Sequence, residues 1–404
     1  MTITLSKPDA KIYGDLSLSS SKSESNRLLL MSALSEALFD IQNLSDAKDT
    51  QTMQRLLSSG DKHWDVMEAG TTMRFCTAFL AMRGAGHVIT GTERMKNRPI
   101  GLLVDALRSL GANIHYEEKE GFPPLRLTGI QDQHRDEIEI PGNISSQFIS
   151  ALLMVAPCLP RGLQITLTQE IFSRPYIEMT LKLMNHFGVK SEWNENVITV
   201  KPQSYQTATY VVESDWSGAS YWYAMAVAAD EAKIFLRGLR KASHQGDRQI
   251  VDIMKGFGIK TTFHPEGVEI TKSGAPESFI DIDFRTCPDL AQGVMVAAAL
   301  KGVSLKMTGL ETLRIKETDR IQAMKNELSK INANLLEADG VWTLIPTNGE
   351  FATPTIKTYE DHRMAMAFAP VALVSALTIE EPEVTKKSYP GFWEDLRKVG
   401  FSIY

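Results

Sequence analysis

The chain has 404 residues, more than one core of ordinary size accommodates, so two domains are expected, each long enough to bury its own apolar interior. Its 43% hydrophobic and 23% charged residues are ordinary for a soluble protein, and a formal net charge of −6 excludes a generally basic nucleic-acid surface, leaving any anion site to a local cluster. Cys76, Cys158 and Cys287 stand far apart in apolar sequence, which suits reduced, buried thiols in a cytoplasmic protein better than a disulfide framework or a zinc site.

The N-terminal MTITLSKPDAKIYG alternates apolar with polar residues and has neither the apolar core of a signal peptide nor the Arg-rich, acid-poor character of a transit peptide. From Ser21 onward one pattern recurs six times: a polar cluster opens a helix rich in Ala, Leu and Met, and a short β-rich segment follows. The copies are SKSESNRLLLMSALS with ALFDIQNLS, TTMRFCTAFLAMRG with HVITGTE, SSQFISALLMVAP with LQITLTQE, WSGASYWYAMAVAAD with KIFLRGL, CPDLAQGVMVAAAL with VSLKMTGL, and DHRMAMAFAPVAL with ALTIEEPEV. Helices apolar nearly all round belong in an interior. The run MAMAFAPVALVSALTI is broken by Pro370 and falls short of the roughly 20 residues that span a bilayer, so it reads as a buried helix and a strand, and no membrane partner is expected.

Between these copies lies an amphipathic helix that stops at Gly or Asn and turns into a hairpin, clearest around Gly111, Gly188, Gly258 and Asn332. The repeating unit is strand, buried helix, strand, outer helix, hairpin. Six units make two pseudo-symmetric halves of three. DAKDTQTMQRLLSSGDKHWDVMEAG leaves no room for a full hairpin, so the first unit is read as truncated.

The helix starts carry more Ser, Asn, Asp, Lys and Arg than a single cap requires. Free N–H groups and the positive end of the dipole make such ends suited to anions. In SSSKSESNR, Ser21 or Ser23 can cap while Lys22 and Arg27 stand near the first turn, and no Gly-rich phosphate loop precedes them. Gly70 in MEAGTTMR allows close backbone approach to a ligand. RMKNRPIG is expected to crowd Arg94, Lys96 and Arg98 at one helix entrance with Pro99 in its first turn, an arrangement that opposes the dipole unless a negative ligand is present. In GNISSQF a cap explains one serine but not Ser145, Ser146 and Gln147 together, and SRPYIEMT adds Ser173 and Tyr176. LRIKETDRIQAM places Lys316 and Arg320 on one helical face with Glu317 and Asp319 interleaved, and Asp289 of CPDLAQG and Asp361-His362-Arg363 of TYEDHRMAM open apolar helices with charge. No serine sits on a nucleophile elbow, and the eight histidines lack metal-ligand spacing, so neither a serine triad nor a metal site is expected.

In these motifs (SKSESNR, EAGTTMR, RMKNRPIG, SSQF, SRPYIE, ESDWSGASY with Asp215, CPDLA, RIKETDR and DHRMAM) the chain resembles the 5-enolpyruvylshikimate-3-phosphate synthases, from about Lys7 to the C-terminus. The resemblance implies an α/β fold of two pseudo-symmetric domains, each of three βαβαββ units, the inside-out α/β barrel of the enolpyruvyl transferases. Crossovers near Ser20 and Glu213 give an N-terminal domain of residues 20–212 and a C-terminal domain of residues 1–19 and 213–404.

The implied reaction moves the enolpyruvyl group of phosphoenolpyruvate to the 5-hydroxyl of shikimate 3-phosphate and releases phosphate through a tetrahedral intermediate, with no metal or organic cofactor. The family pattern assigns shikimate 3-phosphate to Lys22, Ser23, Arg27, Ser145, Ser146, Gln147, Ser173, Tyr176, Asp289 and Lys316. It assigns phosphoenolpyruvate to Lys22, Gly70, Arg98, Gln147, Arg320, Arg363 and Lys387. Lys22, Asp289 and Glu317 are the implied catalytic residues, closure of the two halves on the substrates is implied, and a monomer is expected. Three positions depart from the pattern: Glu68 replaces an Asn before Ala-Gly-Thr, Phe75 replaces a Pro after Met-Arg, and Thr312 stands where an Asn often meets the shikimate phosphate. Gly70 and Thr71 are retained, which favours sensitivity to glyphosate, the family's inhibitor that competes with phosphoenolpyruvate. Against the sister enzyme that uses UDP-N-acetylglucosamine, no cysteine lies in a catalytic loop. Against a DNA-encircling clamp, the cations gather at helix starts while the helix faces are apolar. Against a binding protein without catalysis, Lys22, Asp289, Glu317 and Arg363 are all present.

Overall fold

The computed structural model describes residues 1–35, 37, 39–347 and 349–404. The chain divides into two compact units, one of Ser20–Val212 and one of Met1–Ser19 with Glu213–Tyr404, and each has its own apolar core.

The unit of Ser20–Val212 contains two complete four-stranded sheets. In the first, His63–Asp65 runs parallel to Ala85–Thr90, and the hairpin Asn113–Tyr116 and Leu125–Thr128 adds antiparallel to it. In the second, Glu137–Pro141 runs parallel to Leu163–Thr168, which pairs with Val197–Val200 of the next hairpin. The parallel strands need a crossover, and the apolar helices Gly70–Arg83 and Ser146–Val155 supply it. Along the strands burial alternates, as in Leu163–Thr168, so one face of each sheet covers the helices. The third helix of this interior, Lys22–Leu34, is followed by the strand Asp40–Gln42, which among the described residues pairs with Thr209–Val211 alone. No hairpin follows it among the described residues, as the short first interval required. Of the segment ALFDIQNLS read as a strand, Leu38 lies outside the described residues and the strand begins at Asp40.

The other unit holds three complete sheets. Lys11–Ser17 is parallel to Glu231–Arg237, with the hairpin Ile259–His264 and Gly267–Lys272 beyond; Phe279–Asp283 is parallel to Ser304–Thr308, with Ala333–Ala338 and Val341–Pro346 beyond. In the last sheet Thr355–Ile356 is parallel to Leu377–Glu380, and the antiparallel pair is made from the two chain ends, Thr2–Ser6 and Ser402–Ile403. The helices Trp216–Ala228, Ala291–Lys301 and His362–Phe368 pack together inside, and Trp216 and Trp222 are completely buried. The Pro370 run forms the last of these helices, a 3-10 turn Ala369–Leu373, and then a strand. Among the described residues no helix is long and apolar enough to cross a membrane.

Gly111, Gly188, Gly258 and Asn332 all have positive φ, the left-handed turn that ends a helix before its hairpin. At Gly111 a side chain would also run into the carbonyl of Asp132. A fifth turn of this kind, Gly400 after Phe392–Lys398, escaped the sequence reading because its hairpin is completed by a strand almost 400 residues earlier in the chain.

Candidate active site

Within the unit of Ser20–Val212 hydrogen bonds join several helix starts. Ser21 caps the helix Lys22–Leu34 by accepting from the Glu24 N–H, which leaves Ser23 uncommitted as a cap. Lys22 Nζ pairs with Asp49 Oδ2 at 3.0 Å, and Asp49 opens the helix Lys48–Leu57. The Asp49 carbonyl accepts from Thr72 Oγ1 at 3.2 Å, and Thr71 Oγ1 accepts from Gln147 Nε2 at 3.2 Å. Lys22, the Gly70 turn and Gln147 are therefore held in one connected network. Ser145 caps the helix Ser146–Val155 through the Gln147 N–H, so Ser146 is left over, and among the described residues the helices that begin at Gly70 and Arg174 have no side-chain cap bond. Ser173 sits at the last of these starts with φ of 53°, a strained conformation for a non-glycine residue.

Arg27 lies deeper, 2% exposed. It donates to Thr180 Oγ1 at 2.7 Å, Ser150 Oγ at 3.1 Å, the Ser23 carbonyl at 2.9 Å and the Tyr176 carbonyl at 3.3 Å. Its guanidinium lies 5.5 Å from the Phe75 ring and 6.0 Å from the Tyr176 ring. All of these hydrogen bonds run to neutral oxygens, and burial pulls the guanidinium down to about 10, still charged at neutral pH. A bound anion would complement that charge.

The expected trio of cations before Pro99 is corrected. Arg94 and Lys96 fall in a separate short helix, Glu93–Lys96, and Lys96 turns to the exposed carboxylates of Glu93 and Glu118. Pro99 lies before the next helix, which starts at Gly101. Arg98 reaches the Gly70 turn, where a Cβ on Gly70 would collide with Arg98 Nη1 and lie 2.9 Å from its Cζ, and Arg74 Nη1 donates to the Gly70 carbonyl at 3.1 Å. Glycine at this position is what lets the guanidinium lie against the helix start.

The other unit assembles charged residues that the sequence scattered between Asp289 and Lys387. Arg320 is its centre, 1% exposed. It donates to Asp361 at 2.7 and 3.3 Å, to Asp289 Oδ1 at 2.9 Å and to Glu317 Oε2 at 2.8 Å. Asp289 also faces Arg363 at 3.1 Å and Lys316 at 3.6 Å, and Glu317 Oε1 faces Lys387 Nζ at 3.3 Å. Asp361 caps His362–Phe368 by accepting the Arg363 N–H. Burial works against the Asp289 charge, yet Arg363, Lys316 and Arg320 outweigh it and hold the carboxyl well below the usual carboxylate range. Burial likewise opposes the Arg320 charge, and Asp361, Glu317 and Asp289 hold it firmly ionised. Lys316, Arg320, Arg363 and Lys387 gather here around Asp289, Glu317 and Asp361, and the cations on Asp289 and Glu317 can turn to a ligand's oxygens.

Residues 6–63 and 57–396 match the family model of EPSP synthase (3-phosphoshikimate 1-carboxyvinyltransferase). The 3-phosphoshikimate 1-carboxyvinyltransferase of Bacteroides fragilis strain YCH46 is 48% identical, covering 100% of this chain and 99% of the relative. The chain belongs to the EPSP synthase family. The protein of that name from Sulfurovum sp. strain NBC37-1 is 36% identical over 98% of this chain and 99% of its own length. The structure of EPSP synthase from Acinetobacter baumannii superposes with a TM-score of 0.81 at 21% identity, each chain covered in full, which confirms the fold.

The three departures from the family pattern have distinct surroundings. Glu68 is exposed. Phe75 is completely buried and packs against Arg27, so it bears on that guanidinium rather than on the Gly70 turn. Thr312 lies in the turn Glu311–Ile315, its hydroxyl shielded from solvent without a hydrogen-bond partner among the described residues. Sequence reasoning missed Asp49, which holds Lys22, and Ser150 and Thr180, which hold Arg27. A serine inside the otherwise apolar ISALLMV was the available signal for Ser150.

Proposed function

We propose that this EPSP synthase family member transfers the enolpyruvyl group of phosphoenolpyruvate to the 5-hydroxyl of shikimate 3-phosphate and releases phosphate, in the pathway to aromatic amino acids. The observation that carries the proposal is the Arg320 cluster, in which Asp289 and Glu317 stand among Lys316, Arg320, Arg363 and Lys387. Both substrates are phosphorylated and one adds a carboxylate, so gathered cations and ionised carboxylates are what the chemistry requires.

In this reading Ser23, Arg27, Ser145, Ser146, Gln147, Ser173 and Tyr176, with Asp289 and Lys316, bind shikimate 3-phosphate. Gly70, Arg98, Gln147, Arg320, Arg363 and Lys387 bind phosphoenolpyruvate, and Lys22 serves both. Asp289 takes the hydroxyl proton as the oxygen attacks C2 of phosphoenolpyruvate, and the methylene carbon takes one proton from the Lys22 ammonium. The ketal phosphate then loses a methyl proton to the Glu317 carboxylate as inorganic phosphate leaves, which restores the double bond. Lys22 and the Arg320 cluster stabilise the negative charge that accumulates. The two units are the domains of the proposal, residues 20–212 and residues 1–19 with 213–404, and the enzyme acts as a cytoplasmic monomer on small molecules. Cys76 and Cys287 are buried and burial pushes both thiols up, which does not suit them to the acid role that a cysteine plays in the UDP-N-acetylglucosamine enzyme.

Phosphate release from purified protein tests the proposal. Release is expected with phosphoenolpyruvate and shikimate 3-phosphate together, and none with either alone or with UDP-N-acetylglucosamine as acceptor; silence from folded protein with the correct pair would overturn it. The Arg27→Met variant is expected to lose stability, because the buried Glu24 carboxylate loses a favourable charge, although Thr180 still donates to Ser150 at 2.9 Å. Loss of one or two charge-assisted bonds, each ~1.5–3 kcal/mol, raises KM for shikimate 3-phosphate by about 100-fold. Urea denaturation beside steady-state kinetics separates the two effects.

A further inference from the structure

The Arg363 guanidinium is fixed from two directions. Asp289 supplies one, with its carboxylate 3.1 Å from Nη2 and its backbone carbonyl 3.1 Å from Nη1. From the other, Nη1 donates to Tyr221 Oη at 3.3 Å and Nη2 to Ser217 Oγ at 3.4 Å. A guanidinium only donates, so the single hydroxyl proton of Ser217 must point elsewhere. It points to Asp247 Oδ2. Asp247 is 2% exposed on the turn Gly246–Gln249, in the stretch QGDRQ that no motif singled out. Ser217 is itself held, since Asp215 accepts its N–H at 2.7 Å while capping the helix Trp216–Ala228.

We infer that Asp247, acting through Ser217, is a positioning residue that aims Arg363 at the anionic groups of phosphoenolpyruvate. This rests on the proposed function. An ionised Asp247 can only accept, which forces the Ser217 proton toward it and leaves a lone pair for Arg363. A protonated or amide side chain at 247 carries a donor of its own, which competes with Arg363 for that lone pair.

The charged and titratable groups that face Asp247 include Asp289 from the turn Pro288–Leu290, Arg363 from His362–Phe368, Asp215 at the start of Trp216–Ala228, and the Cys287 thiol. Burial first, then the Asp289 charge, lifts the carboxyl to about 6 against the pull of Arg363. The charged, positioning form is therefore present above that pH and lost below it.

The test is kcat and both KM values between about pH 5 and 8 for the wild type, Asp247→Asn, Ser217→Ala, Ser217→Thr and the double variant Asp247→Asn with Ser217→Ala. Asp247→Asn and Ser217→Ala are each expected to raise KM for phosphoenolpyruvate about tenfold, with kcat and KM for shikimate 3-phosphate within about twofold. Ser217→Thr keeps the hydroxyl and restores the wild-type value, and the double variant is no worse than the poorer single one. In the wild type KM for phosphoenolpyruvate rises as pH falls through about 6, more steeply than in Asp247→Asn, which shares only the ionisation of the substrate. Equal losses in all three constants, additive effects in the double variant, or identical pH profiles would overturn the inference. If Asp247→Asn does not fold, Ser217→Ala and Ser217→Thr decide alone. A wild type without turnover would remove the proposed function and this inference together, whereas wild-type turnover with unaltered variants removes only the inference.

Discussion

Asp289→Asn is expected to lower kcat by about a thousandfold while KM for phosphoenolpyruvate stays level or falls, because it removes a proton acceptor but no cation. Asp289 is held ionised by Arg363, Lys316 and Arg320, which keep the carboxylate ready to accept but make it a weak base. Binding of anions changes that balance. In the proposed mechanism each cation that turns to a phosphate or carboxylate of the substrates would weaken its hold on Asp289 and so raise the basicity of the carboxylate. The amide keeps the shape and frees three cations from one negative charge, so anionic substrates bind at least as well. Steady-state kinetics checks this through the split between the two constants. A kcat within about tenfold of the wild type would remove Asp289 from the chemistry. A parallel rise in KM would mean that it acts by holding the cluster together.

The repeat was legible because each unit must solve the same problem: a parallel strand pair needs a crossover helix, and in an interior that helix must be apolar all round. Gly111, Gly188, Gly258 and Asn332 were legible for a local reason, the left-handed turn that ends a helix. Gly400 was not, because its hairpin partner is Thr2–Ser6 and no local window contains both strands. Pro99 misled for the opposite reason: it fits a first helical turn locally, but the short helix Glu93–Lys96 diverts the chain before it.

The site was read in part from residue chemistry and in part from resemblance. The reading of Lys316 and Arg320 as one helical face is corrected, since the helix begins only at Arg320 with Asp319 as its cap, whereas Asp289 and Arg363 announced themselves as charge opening apolar helices. Lys387 did not, being one of two adjacent lysines in a polar stretch, and only folding shows it 8% exposed and paired with Glu317. Asp49, Asp247 and Thr180 were illegible because a single polar residue in an amphipathic or turn segment is what any surface shows. Their meaning comes from the side chain they meet, Lys22, Ser217 or Arg27, and those meetings are set by packing between distant segments.

The largest expected effect on stability is at Arg320. Arg320→Met should destabilise the protein by about 3–5 kcal/mol at pH 7, the cost of leaving buried carboxylates without their counterion. Asp361 is 0% exposed and loses both guanidinium bonds, keeping the Arg363 N–H, while Asp289 and Glu317 each lose one of their cations. The sign of the pH dependence follows from Asp289. Its folded pKa lies below the unfolded value of about 4, so the stabilisation it contributes is present above that pH and lost as the pH falls through the folded value. Arg320 supplies part of that depression. The gap between variant and wild type should accordingly be widest near neutral pH and narrow below about pH 4, where protonation relieves the charge that the variant leaves unbalanced. Urea denaturation of both proteins at neutral and acid pH measures the gap directly. A difference under about 1 kcal/mol at pH 7 would mean that the cluster costs as much to desolvate as its ion pairs return, and that Arg320 is kept for binding alone. Arg320→Lys separates the two possibilities if the methionine variant does not fold: one ammonium cannot reach three carboxylates in the fork geometry, so stability is partly regained while affinity for phosphoenolpyruvate is not.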